Sequence, residues 1–383
     1  MCKNCRIFRD RPFLALFFPA LLILLWAVLV FVGCAGSKEP LKIGFAGELT
    51  GDNRAPSIKV FQGIELAVEQ RNAAGGIDGR TVKLLAGDDG GNPERAEQVD
   101  RELVKKGVQA IIGHPTSTTS LAALEYINQA KVVTLSPTAT ADELFHREDY
   151  FFTFLASNSK LADRIARFGK KELEVSRVSI IYDLANPRYT RNYAERFKAS
   201  FTGRGGSILD QQNFDSTQNT DFGAIIDRLL QRSPDALFIL ASSTETAAFL
   251  QQLYIREAAI PVLSCDWAST QDVIHLGGPY STHLYLAESV HFTENTPGYG
   301  DFAAAYRRRY GEEPSLGAAK AYEAAGVILH ALTQQKKGES LRAVLLKGSF
   351  RGFQQRLRFD RYGDIERSIY IKTVKDDSFE LAR

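Results

Sequence analysis

The sequence predicts an α/β protein made of two doubly wound halves, each a parallel sheet with helices on both faces. Short apolar segments alternate with segments of helical spacing along most of the chain, which is typical of parallel sheets covered by helices. The pattern starts a second time near Arg177, and no Gly/Ser-rich linker separates the two parts. A length of 383 residues is also typical of two domains of ordinary size.

The first half is expected to contain four strands separated by three helices. The first helix opens near Pro56 and stops at 72–76, because glycine adopts the left-handed conformation that a helix C-terminus commonly needs. Asn92 is the expected N-cap of the second helix, with Pro93 at its first position. The predicted strands are 41–46, 81–86, 108–112 and 132–135, and the predicted helices are 56–72, 93–106 and 117–130.

The second half repeats the alternation and is followed by a mixed C-terminal part. Its predicted strands are 177–183, 206–212, 236–241 and 261–264, with helices at 187–202, 221–231 and 244–258 between them. The C-terminal part contains helical segments at 301–310 and 318–335, followed by strand-like segments at 356–360 and 368–374 around a turn at 362–364.

Composition excludes several classes of protein. With 44% hydrophobic and 24% charged residues, the chain is too apolar to be disordered. The formal net charge of +2 comes from the first eleven residues, where four basic residues accompany one acidic residue, so the rest of the chain stands near −1. This balance argues against a basic face for nucleic acid. Four cysteines are too few for a disulfide-stapled scaffold.

The N-terminus predicts an export signal. Residues 12–33 contain no charge and follow four basic residues, and a small residue, Gly33, stands before Cys34. This order of basic segment, apolar stretch and small residue describes a secretory signal. We expect 1–33 to be a signal peptide and 34–40 a tether. An uncleaved membrane helix is the alternative, since the apolar run is long enough to span a bilayer. Both place the folded domain outside the cytoplasm.

The position of Cys34 makes this segment similar to bacterial lipoprotein signals. That resemblance implies that Cys34 becomes the first mature residue and carries the lipid, although Phe31 stands where the family prefers Leu. Cys2 and Cys5 form a C-x-x-C pair inside the targeting segment with no second pair downstream, so no metal or redox site is predicted. Cys265 is then the lone mature thiol, expected to be a small buried side chain.

Polar loops at the carboxyl ends of the predicted strands are the candidate ligand site, because open α/β sheets bind ligands there. The segment 113–120 brings hydroxyl side chains to a helix N-terminus, which suits a carboxylate or another small anion. A run of competing helix caps explains the same residues. His114 within it is expected to be structural. No Gly-Lys-Ser/Thr pattern is present, which disfavours a nucleotide-phosphate loop.

In the second half, Asp266 lies beside Trp267, and Tyr189 supplies a further aromatic ring. Donors for a carboxylate in one half and an acidic acceptor in the other suit a zwitterion, of which an amino acid is the simplest. Catalytic and metal motifs such as H-E-x-x-H and G-x-S-x-G are missing from the sequence. Asp88 and Asp89 are better explained as a strand-end turn than as a metal or acid/base pair. We therefore predict no enzyme activity, cofactor or metal.

Five segments taken together resemble one protein family. They are 41–51, 72–80, 88–89, 111–114 and 135–140, and their spacing and residues are similar to those of the periplasmic leucine/isoleucine/valine-binding proteins. These proteins are the substrate-binding subunits of branched-chain amino acid ABC transporters. The resemblance implies the type I periplasmic binding fold, with two Rossmann-like lobes joined by three crossovers near 154–158, 287–291 and 355–359. Lobe 1 would comprise 41–155 and 291–356, and lobe 2 would comprise 156–290 and 357–383.

The resemblance also implies the ligand contacts. Ser117 matches the serine that holds the ligand carboxylate, and Asp266 matches the acidic residue that accepts the α-ammonium. Thr138 and Thr140 match residues that bind these two groups, and Tyr189 matches a tyrosine of the second lobe. The full expected set is Ser117, Thr118, Thr138, Thr140, Tyr189, Ser243, Asp266 and Trp267.

Three departures from the family pattern affect the expected pocket. Gly91 and Thr116 replace a disulfide found in some members. Asn53 to Pro56 replace a loop that often carries an aromatic side chain, and Ser242 and Ser243 stand where the branched-chain proteins have tyrosines. The resemblance thus retains the main-chain contacts of an amino acid and changes the side-chain pocket.

The expected function is a membrane-tethered solute-binding protein that captures a small amino-acid-like ligand and presents it to an ABC permease by hinge closure. A tethered ligand-sensing domain of the same fold is one alternative. Another is a ligand without an amine, such as an amide or an organic or aromatic acid. Nucleic acid is not an expected partner.

Overall fold

The computed structural model describes residues 38–51 and 54–382. The expected export signal at 1–33 and most of the tether therefore lie outside the described residues, and so do Cys2, Cys5, Cys34 and Asn53. Within the described ranges, no helix combines the length and apolarity needed to cross a membrane.

The first half forms a five-stranded parallel sheet with the order β2-β1-β3-β4-β5. Its strands are β1 (Leu41–Gly47), β2 (Val82–Asp88), β3 (Ile111–Gly113), β4 (Thr134–Ser136) and β5 (Phe151–Thr153). Three helices connect them: α1 (Arg54–Ala73), α2 (Pro93–Lys105) and α3 (Ser117–Ala130). The Asn92 side chain accepts a hydrogen bond from the Glu94 amide, as the predicted N-cap requires. The predicted limits of α3 are confirmed.

The second half builds a second parallel sheet in the same way. Its strands are β6 (Arg177–Asp183), β7 (Ser207–Phe214), β8 (Ala236–Leu240), β9 (Val262–Ser264) and β10 (Leu284–Glu288). Its helices are α4 (Asn158–Lys171), α5 (Pro187–Thr202), α6 (Phe222–Leu230), α7 (Ser243–Ile255) and α8 (Gln271–Gly277).

The C-terminal part contributes elements to both halves. Three helices and a short hairpin return to the first half: α9 (Tyr299–Tyr310), α10 (Leu316–Gln334), α11 (Leu341–Lys347), β11 (Phe350–Arg351) and β12 (Arg356–Leu357). The last two strands, β13 (Tyr370–Lys375) and β14 (Ser378–Leu381), add antiparallel to β10 and complete a seven-stranded sheet. A hairpin can continue a sheet without a crossover helix only in the antiparallel direction, so the parallel pattern ends here.

The predicted α/β architecture with two parallel sheets is confirmed, and the local predictions missed several short or late elements. The unpredicted elements are β5, α4, α8, β10, α11, β11 and β14. For α4 the signal was present, because Leu161, Ile165 and Phe168 are buried at helical spacing. The strands β5 and β10 are short and adjoin the crossings between halves, where local periodicity is interrupted.

The chain passes between the two hydrophobic cores three times. Phe154 packs in the first core and Ala156 in the second, and a second passage lies between Ala287 and Val290. The limits of the lobes stay a prediction. The last passage, however, follows Ile365, because 357–365 packs against the first sheet, whereas we expected it in the second lobe.

A buried ion pair fixes the first and third passages to one helix. The Arg367 guanidinium lies 3.1 Å from the Glu323 carboxylate of α10, and each side chain is 2% exposed. The same guanidinium donates to the Phe154 carbonyl at 2.9 Å and lies 4.5 Å from the centre of the Phe154 ring. This contact therefore joins the two crossing segments to α10.

Helices α1 and α10 approach so closely that a glycine is required between them. A Cβ atom added to Gly63 of α1 would lie 2.1 Å from the Ala318 carbonyl oxygen of α10. At Gly326, further along α10, a Cβ atom would meet nothing within 4 Å. The helix pair therefore tolerates a methyl group at one glycine and excludes it at the other.

We predict opposite effects of one substitution at these two positions. Gly63→Ala should lower the free energy of unfolding by about 1–3 kcal/mol, because the helices must move apart. Gly326→Ala should raise it by about 0.5–1 kcal/mol, because alanine loses less entropy than glycine in a helix. Urea unfolding followed by circular dichroism measures both. Equal effects at the two sites would show that the close approach is not a packing constraint.

Candidate functional site

The candidate site lies where loops from the two halves meet. The loops after β3 and β4 belong to the first sheet, and those after β6 and β9 belong to the second. Side chains from these loops are hydrogen-bonded across the boundary, notably Thr118 to Asn186 and Thr140 to Asn158. The carboxyl ends of parallel strands are the usual place for a ligand in open α/β sheets.

Ser117 connects the start of α3 to the loop after β4. Its buried hydroxyl oxygen accepts hydrogen bonds from the amides of Thr140 at 3.2 Å and Ala141 at 3.1 Å. The Thr116 side chain caps the helix by accepting from the Thr119 amide. Since the two bonds to Ser117 are accepted by its oxygen, the hydroxyl proton remains able to donate to a ligand at the helix N-terminus.

The threonines of the expected set are all hydrogen-bonded within the protein. Thr138 donates to the Pro115 carbonyl at 2.7 Å, which joins two loops of the first half. Thr118 donates to the Asn186 side chain through its amide at 3.3 Å and its hydroxyl at 2.8 Å. Thr140 donates to the Asn158 side chain at 2.8 Å.

Asn158 and Asn186 were missed by the sequence analysis. They stand at or next to the N-termini of α4 and α5, where asparagine ordinarily suggests a helix cap. Their side chains instead accept bonds from the first half, and Asn158 also donates to the Tyr189 carbonyl at 3.1 Å. Nothing local in the sequence distinguishes this use from capping.

His114 stabilises the loop after β3 through its buried ring and its backbone carbonyl. Its buried ring lies between two aspartates, with Nδ1 2.7 Å from Asp89 and Nε2 3.2 Å from Asp100. Its carbonyl accepts hydrogen bonds from the Ser120 and Ser136 hydroxyls. Burial acts to lower the pKa of His114, but Asp100 and Asp89 outweigh burial and raise the pKa to about 10. The ring is therefore a structural cation.

Asp266, Tyr189 and Trp267 come together in the second half. The Tyr189 hydroxyl donates to Asp266 Oδ1 at 2.7 Å. The Trp267 ring meets the Tyr189 ring edge-on, with the ring centres 6.2 Å apart. Burial, and next the Asp266 charge, raise the pKa of Tyr189 well above its usual range, so this phenol remains a donor.

Lys320 is the main residue that the sequence analysis missed. It belongs to α10, and its Nζ lies 3.3 Å from Asp266 Oδ2 and 2.9 Å from Glu288 Oε1. Burial acts to lower the pKa of Lys320, but the Glu288 and Asp266 charges outweigh it and raise the pKa. A lysine at one position of a long helix gives no sequence signal for this pairing.

Ser243 occupies a separate place in the site. It is the first residue of α7, directly after the N-cap Ser242, whose side chain accepts from the Thr244 amide. Among the residues that the structure describes, Ser243 makes no side-chain hydrogen bond to the other seven expected ligand contacts.

One group of side chains in the described ranges has the spacing of a metal site. His146, Asp360 and Asp364 offer ligand atoms within 4.8 Å of one another. The oxygens of Asp364 already accept from the His146 amide at 2.8 Å and the Thr153 hydroxyl at 3.0 Å. The Asp364 carboxylate is therefore explained by its hydrogen bonds to His146 and Thr153, without a metal ion.

Comparisons with known proteins show which family and fold the chain resembles. A family model described as periplasmic binding protein matches residues 40–378. The Leu/Ile/Val-binding protein homolog 3 of Brucella melitensis is 26% identical over 259 residues, which cover 67% of this chain and 69% of that protein.

Two solved structures have the same overall fold. A branched-chain amino acid transporter substrate-binding protein from Streptococcus pneumoniae, in complex with isoleucine, matches with a TM-score of 0.79, 25% identity and coverage of 90% of this chain and 99% of that one. A solute-binding protein of an ABC transporter from Rhodopseudomonas palustris, in complex with 3,4-dihydroxybenzoic acid, matches with a TM-score of 0.79, 21% identity and coverage of 89% and 95%.

We predict that the protein loses stability at alkaline pH as the His114 cation is deprotonated. Because the folded-state pKa is raised from 6.5 to about 10, the stabilisation is fully present below pH 6.5 and is lost as the pH rises towards 10. The melting temperature should fall over this range and should fall less in His114→Gln. The exposed His275→Gln variant should keep the wild-type slope. If His114→Gln also kept that slope, another group would be responsible.

Proposed function

The chain belongs to the periplasmic binding protein family, and we propose that it is an extracytoplasmic solute-binding protein of an ABC transporter. It captures a small amino-acid-like ligand between its two lobes and presents it to a permease. The observation that carries this proposal is the meeting of hydroxyl-rich loops of the first sheet with Asn158 and Asn186 of the second half.

The carboxylate end of the ligand is the part that the geometry supports best. At the N-terminus of α3 the Ser117 hydroxyl keeps its proton for a ligand, and the positive end of the helix dipole favours an anion there. The Thr140 amide donates a hydrogen bond to the Ser117 hydroxyl. The ligands named for the two solved relatives, isoleucine and 3,4-dihydroxybenzoic acid, share a carboxylate.

The second half supplies the other side of the proposed pocket. Tyr189 and Trp267 form an aromatic wall beside Asp266. We expected Asp266 to accept the ligand ammonium, and this role stays a prediction. In the structure, Tyr189 and Lys320 each contact one oxygen of Asp266. Ser243 would contribute from α7.

Hinge closure is the proposed mechanism of delivery. We propose lobes of 41–155 with 291–365 and of 156–290 with 366–383, joined at three crossings. A ligand that contacts both lobes stabilises the closed arrangement by its differential affinity for that state. The permease, or the partner protein of a sensory system, would then recognise the closed form. The proposed role is binding, without catalysis or a cofactor.

The location of the protein follows from the family and the N-terminal sequence. Proteins of this family act outside the cytoplasm, and we propose that a lipid on Cys34 anchors this one to a bacterial membrane. The support is the Gly33-Cys34 junction after the apolar run 12–33.

Isothermal titration calorimetry tests the proposed carboxylate site. A set of amino acids and their des-amino acids should contain a ligand that binds the protein. Ser117→Ala should weaken that ligand by about 10- to 150-fold, because it removes a hydrogen bond to a charged group, and the matched Ser207→Ala change in β7 should not. The carboxylate role fails if the two variants bind alike, and the whole function fails if no ligand of the set binds.

Membrane fractionation tests the anchor. Expressed with its own N-terminus in a bacterial host, the protein should be found with the membranes, and Cys34→Ser should be released. Cys265→Ser should behave like the wild type because Cys265 is buried in the second core. Retention of Cys34→Ser with an uncleaved N-terminus would establish the membrane-helix alternative.

A further inference from the structure

Four charged side chains form one cluster beside the candidate site. Glu288, Lys320 and Lys372 are buried, and Asp266 is nearly so. The side chains of Lys320, Asp266 and Glu288 are 5%, 10% and 0% exposed. Lys372 lies on β13, which pairs with the strand that carries Glu288. The cluster thus combines α10 of the first half with elements of the second.

The charges of this cluster are balanced without a ligand. The formal charges of two carboxylates and two ammonium groups sum to zero. Lys320 contacts both carboxylates, and Lys372 interacts with them only as a nearby charge. Asp266 has a partner on each oxygen, since Tyr189 donates to Oδ1 and Lys320 to Oδ2. The position that an α-ammonium would take beside Asp266 is therefore adjacent to a cation of the protein itself.

A ligand ammonium at Asp266 would meet an electrostatic penalty. A cation within hydrogen-bond distance of Asp266 comes within a few ångströms of the Lys320 ammonium, and like charges so close repel one another strongly in a partly buried site. Displacing Lys320 instead would separate it from a buried Glu288, and breaking a buried pair is costly. A ligand with no α-ammonium avoids both costs.

We propose that Lys320 is a specificity-determining residue that supplies the cation paired with Asp266, so that the site prefers small carboxylates without an α-ammonium to the matched α-amino acids. This inference rests on the proposed function, because it requires a carboxylate ligand between the lobes. It names the ligand class as des-amino organic or aromatic acids.

Calorimetry with matched ligand pairs tests the inference. The pairs are leucine with 4-methylpentanoate and phenylalanine with 3-phenylpropanoate, each titrated into the wild type, Lys320→Met and Lys320→Arg. The wild type should bind the des-amino member of a pair about tenfold more tightly, since tenfold corresponds to about 1.4 kcal/mol. Lys320→Met should shift the ratio towards the amino acid by about the same factor. Lys320→Arg should keep the wild-type preference.

Two further variants separate specificity from stability. Lys320→Met leaves an unbalanced buried charge, so Lys320→Met/Glu288→Gln provides a charge-balanced background in which the same shift is expected. Lys372→Met removes the other buried cation of the cluster, which does not contact Asp266, and should shift the ratio much less than Lys320→Met. A purely structural role for Lys320 would change the melting temperature and not the ratio.

Two results would overturn the inference. One is a wild-type protein that binds the amino acid of a pair as tightly as its des-amino partner, or more tightly. The other is a ratio of the two affinities that stays at the wild-type value both in Lys320→Met and in Lys320→Met/Glu288→Gln. Either result leaves the proposed function intact, because a ligand is still bound. If neither member of any pair binds the wild type, the proposed carboxylate site fails together with the inference.

Discussion

The buried Arg367–Glu323 ion pair is the contact on which the rest of the arrangement depends. It fixes the first and third passages between the two cores to helix α10, through the Phe154 carbonyl and the Glu323 carboxylate. Lys320 lies three residues before Glu323, so the two side chains project from nearby positions of one helix. The segment that orients the two halves therefore also sets the position of the cation beside Asp266.

Buried charges define the site more than hydrophobic packing does. Replacing a buried ion pair with apolar residues is often neutral or stabilising, so such pairs are weak evidence for a stability role. Lys320 contacts two carboxylates near the proposed ligand position, and His114 supports the loop that presents Ser117. Both groups fix the direction of polar side chains. This is the property that recognition of a small charged ligand requires.

The hydroxyl residues expected to bind the ligand also join the two halves. Thr118 and Thr140 donate to Asn186 and Asn158, so these loops contact one another directly. A ligand that binds here would either compete with these hydrogen bonds or accept a further one from the Ser117 hydroxyl. The balance between protein contacts and ligand contacts at this boundary is what a hinge mechanism uses to discriminate between open and closed states.

The sequence by itself determined most of the longer elements and the polar loops that follow the strands. Apolar periodicity predicted both sheets, and local capping chemistry placed Asn92 and the start of α3 at Ser117. It did not determine that Lys320 meets Asp266, 54 residues away, that His114 lies between Asp89 and Asp100, or that 357–365 stays with the first core. Periodicity and caps act over one or two turns of chain. A buried charge instead finds its partner wherever the fold brings an opposite charge within reach, and only the tertiary structure decides that.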